Sequence, residues 1–182
     1  MISPQARQQF LQSAIVDLKD YLLSDPIFWP MGNLAYPLTI GNLLLELALA
    51  KVDNPEGAVT LEGQVAKVQH AWQAKWIQKS QKELAVRLKI WQEASMNWLA
   101  EGFTTYKTDA RNRAILQFLF FYDTNNEYSK MVSIIDARLG KVFGDGAFIW
   151  PSQYQGIFNH RDFWYLYLVP KKNAGRDDHD RP

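Results

Sequence analysis

Apolar positions along this chain recur mostly at the three-and-four spacing of buried helix faces. Phe10, Leu11, Ala14, Ile15, Leu18, Tyr21 and Leu22 form the first such face. Ser3-Pro4 supplies a capping hydroxyl and a proline suited to the first helical position. Asp25-Pro26 closes the run, because a residue before proline is pushed out of the helical region. Thr39 then caps a second helix carrying Ile40, Leu43, Leu44, Leu47, Leu49 and Val52. That helix is apolar nearly all round and so belongs in the centre. Asp53-Asn54-Pro55-Glu56-Gly57 reads as a break.

The segment from about 60 to 101 contains no proline and carries four tryptophans. It predicts one long helix, capped by Thr60 and spanning roughly 60 Å at 1.5 Å per residue. Leu61, Val65, Val68, Trp72 and Trp76 make one stripe; Ile77, Leu84, Leu88, Trp91 and Trp98 make another. In the second, Ile77, Leu84, Trp91 and Trp98 are spaced by sevens, like a coiled-coil seam. The stripes are offset by roughly 80° at 100° per residue, so the helix either bends between them, around Gln78 to Glu83, or packs different partners with its two halves. Glu83 with Arg87, and Lys89 with Glu93, read as solvated i,i+4 pairs.

Beyond Thr105, Thr108-Asp109 and Asn125-Asn126-Glu127 offer two further helix starts. Tyr128, Met131, Ile135, Leu139 and Val142 keep helical spacing. The competing reading is a β-meander, with Ala114 to Tyr122 and Met131 to Ile135 as strands and a turn at Asp136 to Lys141. The run Ala114 to Phe121 lacks period-two alternation, which favours helices. Asp162 to Val169 is ambiguous between a last helix and a strand. The expected fold is a mainly α, single-domain helical bundle built on one long central helix. The alternative is α+β with a small antiparallel sheet in 113–170. One domain, 1–170, would be followed by a disordered charged tail, 171–182.

Composition narrows function more than it names it. The chain has 182 residues, 47% hydrophobic and 21% charged, which suits one ordinary globular domain. Its formal net charge is +1, so no global field draws it to nucleic acid or to an anionic membrane. It has no cysteine, which excludes disulfides and thiolate chemistry and fits a reducing compartment. Met1 to Gln9 lacks a signal-peptide pattern, and no apolar run reaches the eighteen or so residues of a membrane helix. A soluble cytoplasmic protein with no membrane partner is expected.

Candidate chemistry is sparse. There are three histidines. His70 has Ala74 at i+4, so it has no helix-face partner for a metal. His160 lies in Asn159-His160-Arg161-Asp162, where a general base competes with Asp162 acting as a helix cap. The tail Asp177-Asp178-His179-Asp180 has metal-binding composition without a rigid frame. Gly144-Asp145-Gly146 lacks the later glycine and lysine of a phosphate loop. No catalytic residue, cofactor or metal ligand is assigned.

Two aromatic loops hold Phe28, Trp29, Met31 and Tyr36, and Phe148, Ile149 and Trp150. They read as lids on the core or as partner-binding surfaces anchored by Trp29 and Trp150. Lys75, Lys79 and Lys82 stack on one helix face, and with Arg87, Arg111 and Arg113 they form a candidate nucleic-acid-binding set. Three readings follow. The first is a non-catalytic protein–protein interaction or accessory subunit, with an unidentified protein partner or self-association. The second is a nucleic-acid-binding accessory protein using the basic face. The third is a small-ligand-binding protein or enzyme with a pocket under the aromatic loops.

Overall fold

Six α-helices account for most of the residues described by the structure, a computed structural model covering 1–101 and 103–171. They are α1 (Pro4–Leu23), α2 (Ile40–Asp53), α3 (Pro55–Ala71), α4 (Gln73–Glu101), α5 (Tyr106–Leu119) and α6 (Glu127–Val142). A two-stranded antiparallel sheet joins β1 (Phe143–Asp145) to β2 (Leu168–Pro170), with Gly144 opposite Val169. The fold is mainly α with a minor sheet. The tail expected from Lys171 onward lies outside the described residues except for Lys171, whose N–H donates to the Val142 carbonyl at 3.0 Å.

The first two helices start and stop where their signals stand. The Ser3 side chain accepts from the Ala6 N–H at 3.2 Å, and the Thr39 hydroxyl accepts from Asn42 N–H at 3.0 Å. Asn54 serves two helices: its N–H closes α2 on the Ala50 carbonyl, and its Oδ1 accepts from Gly57 N–H at 3.1 Å to open α3. The break at 53–57 thus shrinks to one residue, and the long helical element begins at Pro55 rather than Thr60. A proline in the first turn has no N–H to waste, so the helix starts there.

Of the two outcomes open to the long segment, a bend around Gln78 to Glu83 or different partners for its halves, the structure interrupts the helix earlier, at Trp72, and gives the two parts largely different partners. Trp72 takes φ −124°, ψ 34°, while its N–H still reaches Val68 and its carbonyl still accepts from Trp76. With this interruption α3 packs on α1 and α2, while α4 packs chiefly on α5 and α6 and also reaches α1 and α2. On α4 the buried line is Trp76, Leu84, Trp91 and Trp98, with Ile77 only half-buried.

The stretch 106–142 is helical, as the missing alternation implied. Phe120–Tyr122 tightens to a 3-10 turn, and Asp123 then opens α6 by accepting from Glu127 N–H at 3.1 Å and Ser129 N–H at 2.8 Å. The ambiguous segment 162–169 divides: Trp164–Tyr167 forms a 3-10 turn, and the strand follows it. Rings fill the junction of α4, α5 and β1. Trp98 meets Trp91 and Tyr106 edge-on at 5.0 Å each, and Tyr106 lies 4.5 Å from Phe143.

Candidate functional site

Three clusters of buried charge organise the interior, and they take in Arg87, Arg111 and Arg113, three of the six cations of the candidate basic set. In the first, Glu83 accepts from Gly41 N–H at 2.9 Å and from Arg87 Nε at 3.1 Å. Arg87 also donates to Asn112 Oδ1 at 3.2 Å, and burial pushes its pKa down against the pull of Glu83. This pair is therefore not the solvated i,i+4 contact its spacing suggested; Lys89 and Glu93, by contrast, are exposed. In the second cluster, Arg113 forks onto Asp136 at 3.0 and 3.1 Å, and Trp91 Nε1 donates to the same carboxylate at 3.1 Å. Burial drives the Asp136 carboxyl upward, and Arg113 opposes it.

The third cluster joins the ends of the chain. Arg7 Nε donates to Glu46 Oε2 at 2.7 Å, and Arg7 Nη1 donates to Asp53 and, at 3.0 Å, to the Tyr154 hydroxyl. Arg111 Nη2 donates to the other Glu46 oxygen at 2.7 Å, and Tyr154 donates to Asp53 Oδ1 at 2.8 Å. Burial works against the charge on Arg7, but the Glu46 carboxylate and the Tyr154 hydroxyl together offset it and hold the guanidinium above its ordinary value. Burial likewise raises the Tyr154 phenol, with Asp53 adding to the effect.

Arg7 also lines the floor of a cleft of about 460 Å³ between α1 and α3, over the C-terminal end of α2. Leu11, Ala50 and Ala58 complete the buried floor, and Gln5, Gln8, Gln12 and Gln64 form an exposed rim. The sequence carried one signal for this site. Glu46 stands between leucines in the apolar middle of α2, and a buried carboxylate requires a cation. The identity of that cation, thirty-nine residues away, was not legible.

The basic set is not brought together on one face. Lys75 and Lys82 are exposed, but Lys79 is buried, with Nζ donating to the Pro26 carbonyl at 2.7 Å and lying 4.5 Å from the Tyr21 ring centre. Burial, aided by Lys82 and Lys75 and opposed by Asp25, presses the Lys79 pKa down. Arg87, Arg111 and Arg113 sit in the clusters above, and Arg111 also lies 3.8 Å from the Tyr36 ring centre. Four of the six cations are thus engaged inside the protein, because each has a carboxylate, carbonyl or ring from a distant element laid against it.

Both aromatic loops pack inward. Trp150 is buried, meeting Phe158 edge-on at 5.0 Å, so it is a core residue rather than a free anchor. Trp29 is half-buried, exchanges backbone hydrogen bonds with Leu38, and donates Nε1 to Asp17 at 3.3 Å. His70 is exposed on α3. His160 is exposed, with its ring 4.8 Å from Tyr167, and it lines neither this cleft nor the smaller one beside Tyr122. Asp162 accepts from Asn159 Nδ2 at 2.9 Å and donates its N–H back to Asn159 Oδ1, a local turn rather than a helix cap. The acidic tail around His179 lies outside the described residues.

Exposed large apolar side chains are spread over several elements, Val16 on α1 (79% exposed) and Val59 on α3 (68%) among them, with three near or on α6. Phe121 is 85% exposed, Ile134 60% and Met131 54%. Among the described residues no helix is long and apolar enough to cross a membrane. No protein-family model, curated protein or solved structure matches the chain.

Proposed function

We propose that the protein is a non-catalytic interaction protein, an accessory component that engages another polypeptide through the outward face of α6. The observation that supports this is the exposure of Phe121, Met131 and Ile134. Met131 and Ile134 share one face of α6 at i,i+3, while Val132, Ile135 and Leu139 on the other face are buried. Phe121 stands just before Asp123, whose carboxylate opens the same helix. Exposed aliphatic side chains paired on one helix face, with an exposed ring in the turn that precedes it, are what interface anchors are made from. The anchors move from Trp29 and Trp150 to this strip. The same reading places the protein in the cytoplasm, in keeping with a sequence that has no cysteine. Nucleic-acid binding along α4 would rest on Lys75 and Lys82, with the remaining four cations of the set held in internal contacts.

The test is a photo-crosslinking amino acid placed at Ile134, with a control at the exposed polar position Gln9. A covalent adduct with a second polypeptide at Ile134 and none at Gln9 is expected. Only uncrosslinked monomer at both positions would remove the support for this reading.

A further inference from the structure

We infer that the polypeptide covering the outward face of α6 is a second copy of this chain, held in an antiparallel pair of α6 helices. The inference rests on the reading of α6 as an interaction face and names its occupant.

Four exposed side chains of α6 stand in one line: Glu127, Met131, Ile134 and Arg138, spaced by four, three and four residues. Residues three and four apart are neighbours on a helix surface, so this spacing keeps all four in one narrow stripe. From the N-terminal end the stripe reads acid, apolar, apolar, base. Met131 and Ile134 are 54% and 60% exposed. Among the described residues neither Glu127 nor Arg138 is held in an ion pair. The opposite face of the helix, with Val132, Ile135 and Leu139, is already buried.

The spacing is the same read backwards, while the charge inverts. A reversed copy laid on the stripe therefore sets Glu127 against the partner's Arg138 and Met131 against the partner's Ile134. By symmetry the same two contacts recur in the other half. A parallel copy would set acid on acid and base on base, which repels. The helix dipoles favour the same choice, since each positive N-terminal end lies beside the partner's negative C-terminal end. Lys141, three residues beyond Arg138, extends the basic end toward the partner's Glu127. Lys130 is turned about 100° from Met131 and stays on the flank, in water.

A foreign partner would place no demand on the order of residues along the stripe. The palindromic spacing and the inverted charge are what a second copy requires. The pair is isologous, with one patch used on both sides, as in most homodimers. With 16 residues in α6, the contact is roughly 24 Å long. One helix pair covers less than the ~1,200–2,000 Å² of a standard interface, so the association is weak, with a Kd on the order of 100 µM.

The experiment is sedimentation velocity of the full chain across a concentration range that brackets this Kd, with the variants Glu127→Arg and Arg138→Glu. The wild type should pass from monomer to dimer. Each single reversal opposes like charges and should weaken the dimer about tenfold or more. The two variants mixed should associate again, because every contact between them then joins opposite charges. Circular dichroism should show wild-type helix content in both, which separates lost pairing from lost folding. A dimer that ignores either reversal, or a mixture that stays monomeric, would overturn the antiparallel pairing. A wild type that is monomeric throughout would overturn the second copy as occupant. In that event a crosslink from Ile134 to a polypeptide of another mass would leave the α6 face standing, and no crosslink at all would remove that reading too.

Discussion

Glu83 Oε2 accepts the backbone N–H of Gly41 at 2.9 Å, so a carboxylate from the middle of α4 sits on the first turn of α2. Helix N-termini leave N–H groups without intrahelical partners and favour negative charge. Here the anion comes from the protein itself. Arg87, one turn on from Glu83, balances the charge and reaches across to Asn112 on α5 and to the Thr39 cap. One carboxylate thereby fixes the relative placement of α2, α4 and α5.

Gly41 is needed for this approach. A Cβ there would overlap Ile115 Cγ2 and lie 2.8 Å from Glu83 Oε1. Gly41→Ala should destabilise the protein by about 1–3 kcal/mol through overpacking. Urea denaturation followed by tryptophan fluorescence checks it, and an unchanged midpoint would mean that α2 and α4 can separate at no cost.

Arg87→Ala should cost about 3–5 kcal/mol, because it strands Glu83 in the interior. The double variant Glu83→Leu/Arg87→Leu should lose less than the sum of its single changes, since no unpaired charge remains. A double-mutant cycle by chemical denaturation measures the coupling. Strict additivity would show that the pair is not energetically linked.

Trp150→Ala should cost about 3–5 kcal/mol as a core truncation. Trp29→Ala, at a half-buried site, should cost clearly less. Thermal unfolding of the two variants ranks them, and the reverse order would place Trp29 rather than Trp150 in the core.

Phe121→Ser and Ile134→Asp should leave stability within about 0.5 kcal/mol, as expected of surface positions. They should also weaken any association seen by light scattering at high protein concentration. Large losses of stability would show that these side chains support the fold.

Lys79 supplies a pH test. Its folded-state pKa is held below the ordinary 10.5, so the native protein gives up this proton before the unfolded chain does. Between the depressed value and 10.5 the unfolded state binds more protons, and stability rises with pH. Wild type should therefore gain stability relative to Lys79→Met as the pH climbs toward 10.5, with no relative change at lower pH. Denaturation midpoints across the alkaline range check the sign, and a parallel pH dependence of the two proteins would contradict it.

Much of this architecture was legible because helix formation is a local matter. The caps at Ser3 and Thr39, the breaks at Asp25-Pro26 and within Asp53 to Gly57, and the helical spacing of Tyr128 to Val142 each lie within a few residues of what they control. The faces that periodicity marked, such as Phe10 to Leu22 and Leu84 to Trp98, are the faces that are buried. The fate of the charges was not legible. Lys79 and Lys82 look alike in sequence, yet one is buried against Pro26 and Tyr21 and the other is exposed.

The sequence by itself determined that this is a helical protein with inward-facing rings, and where most of its helices begin and end. Only the tertiary structure decided that the long helix breaks at Trp72, that β1 and β2 meet across the chain, and that Arg7 shares a cluster with Glu46, Asp53 and Tyr154. The physical reason is the range of the forces. Periodicity and capping act within a turn or two. Which carboxylate meets which guanidinium depends on elements that become neighbours only on folding.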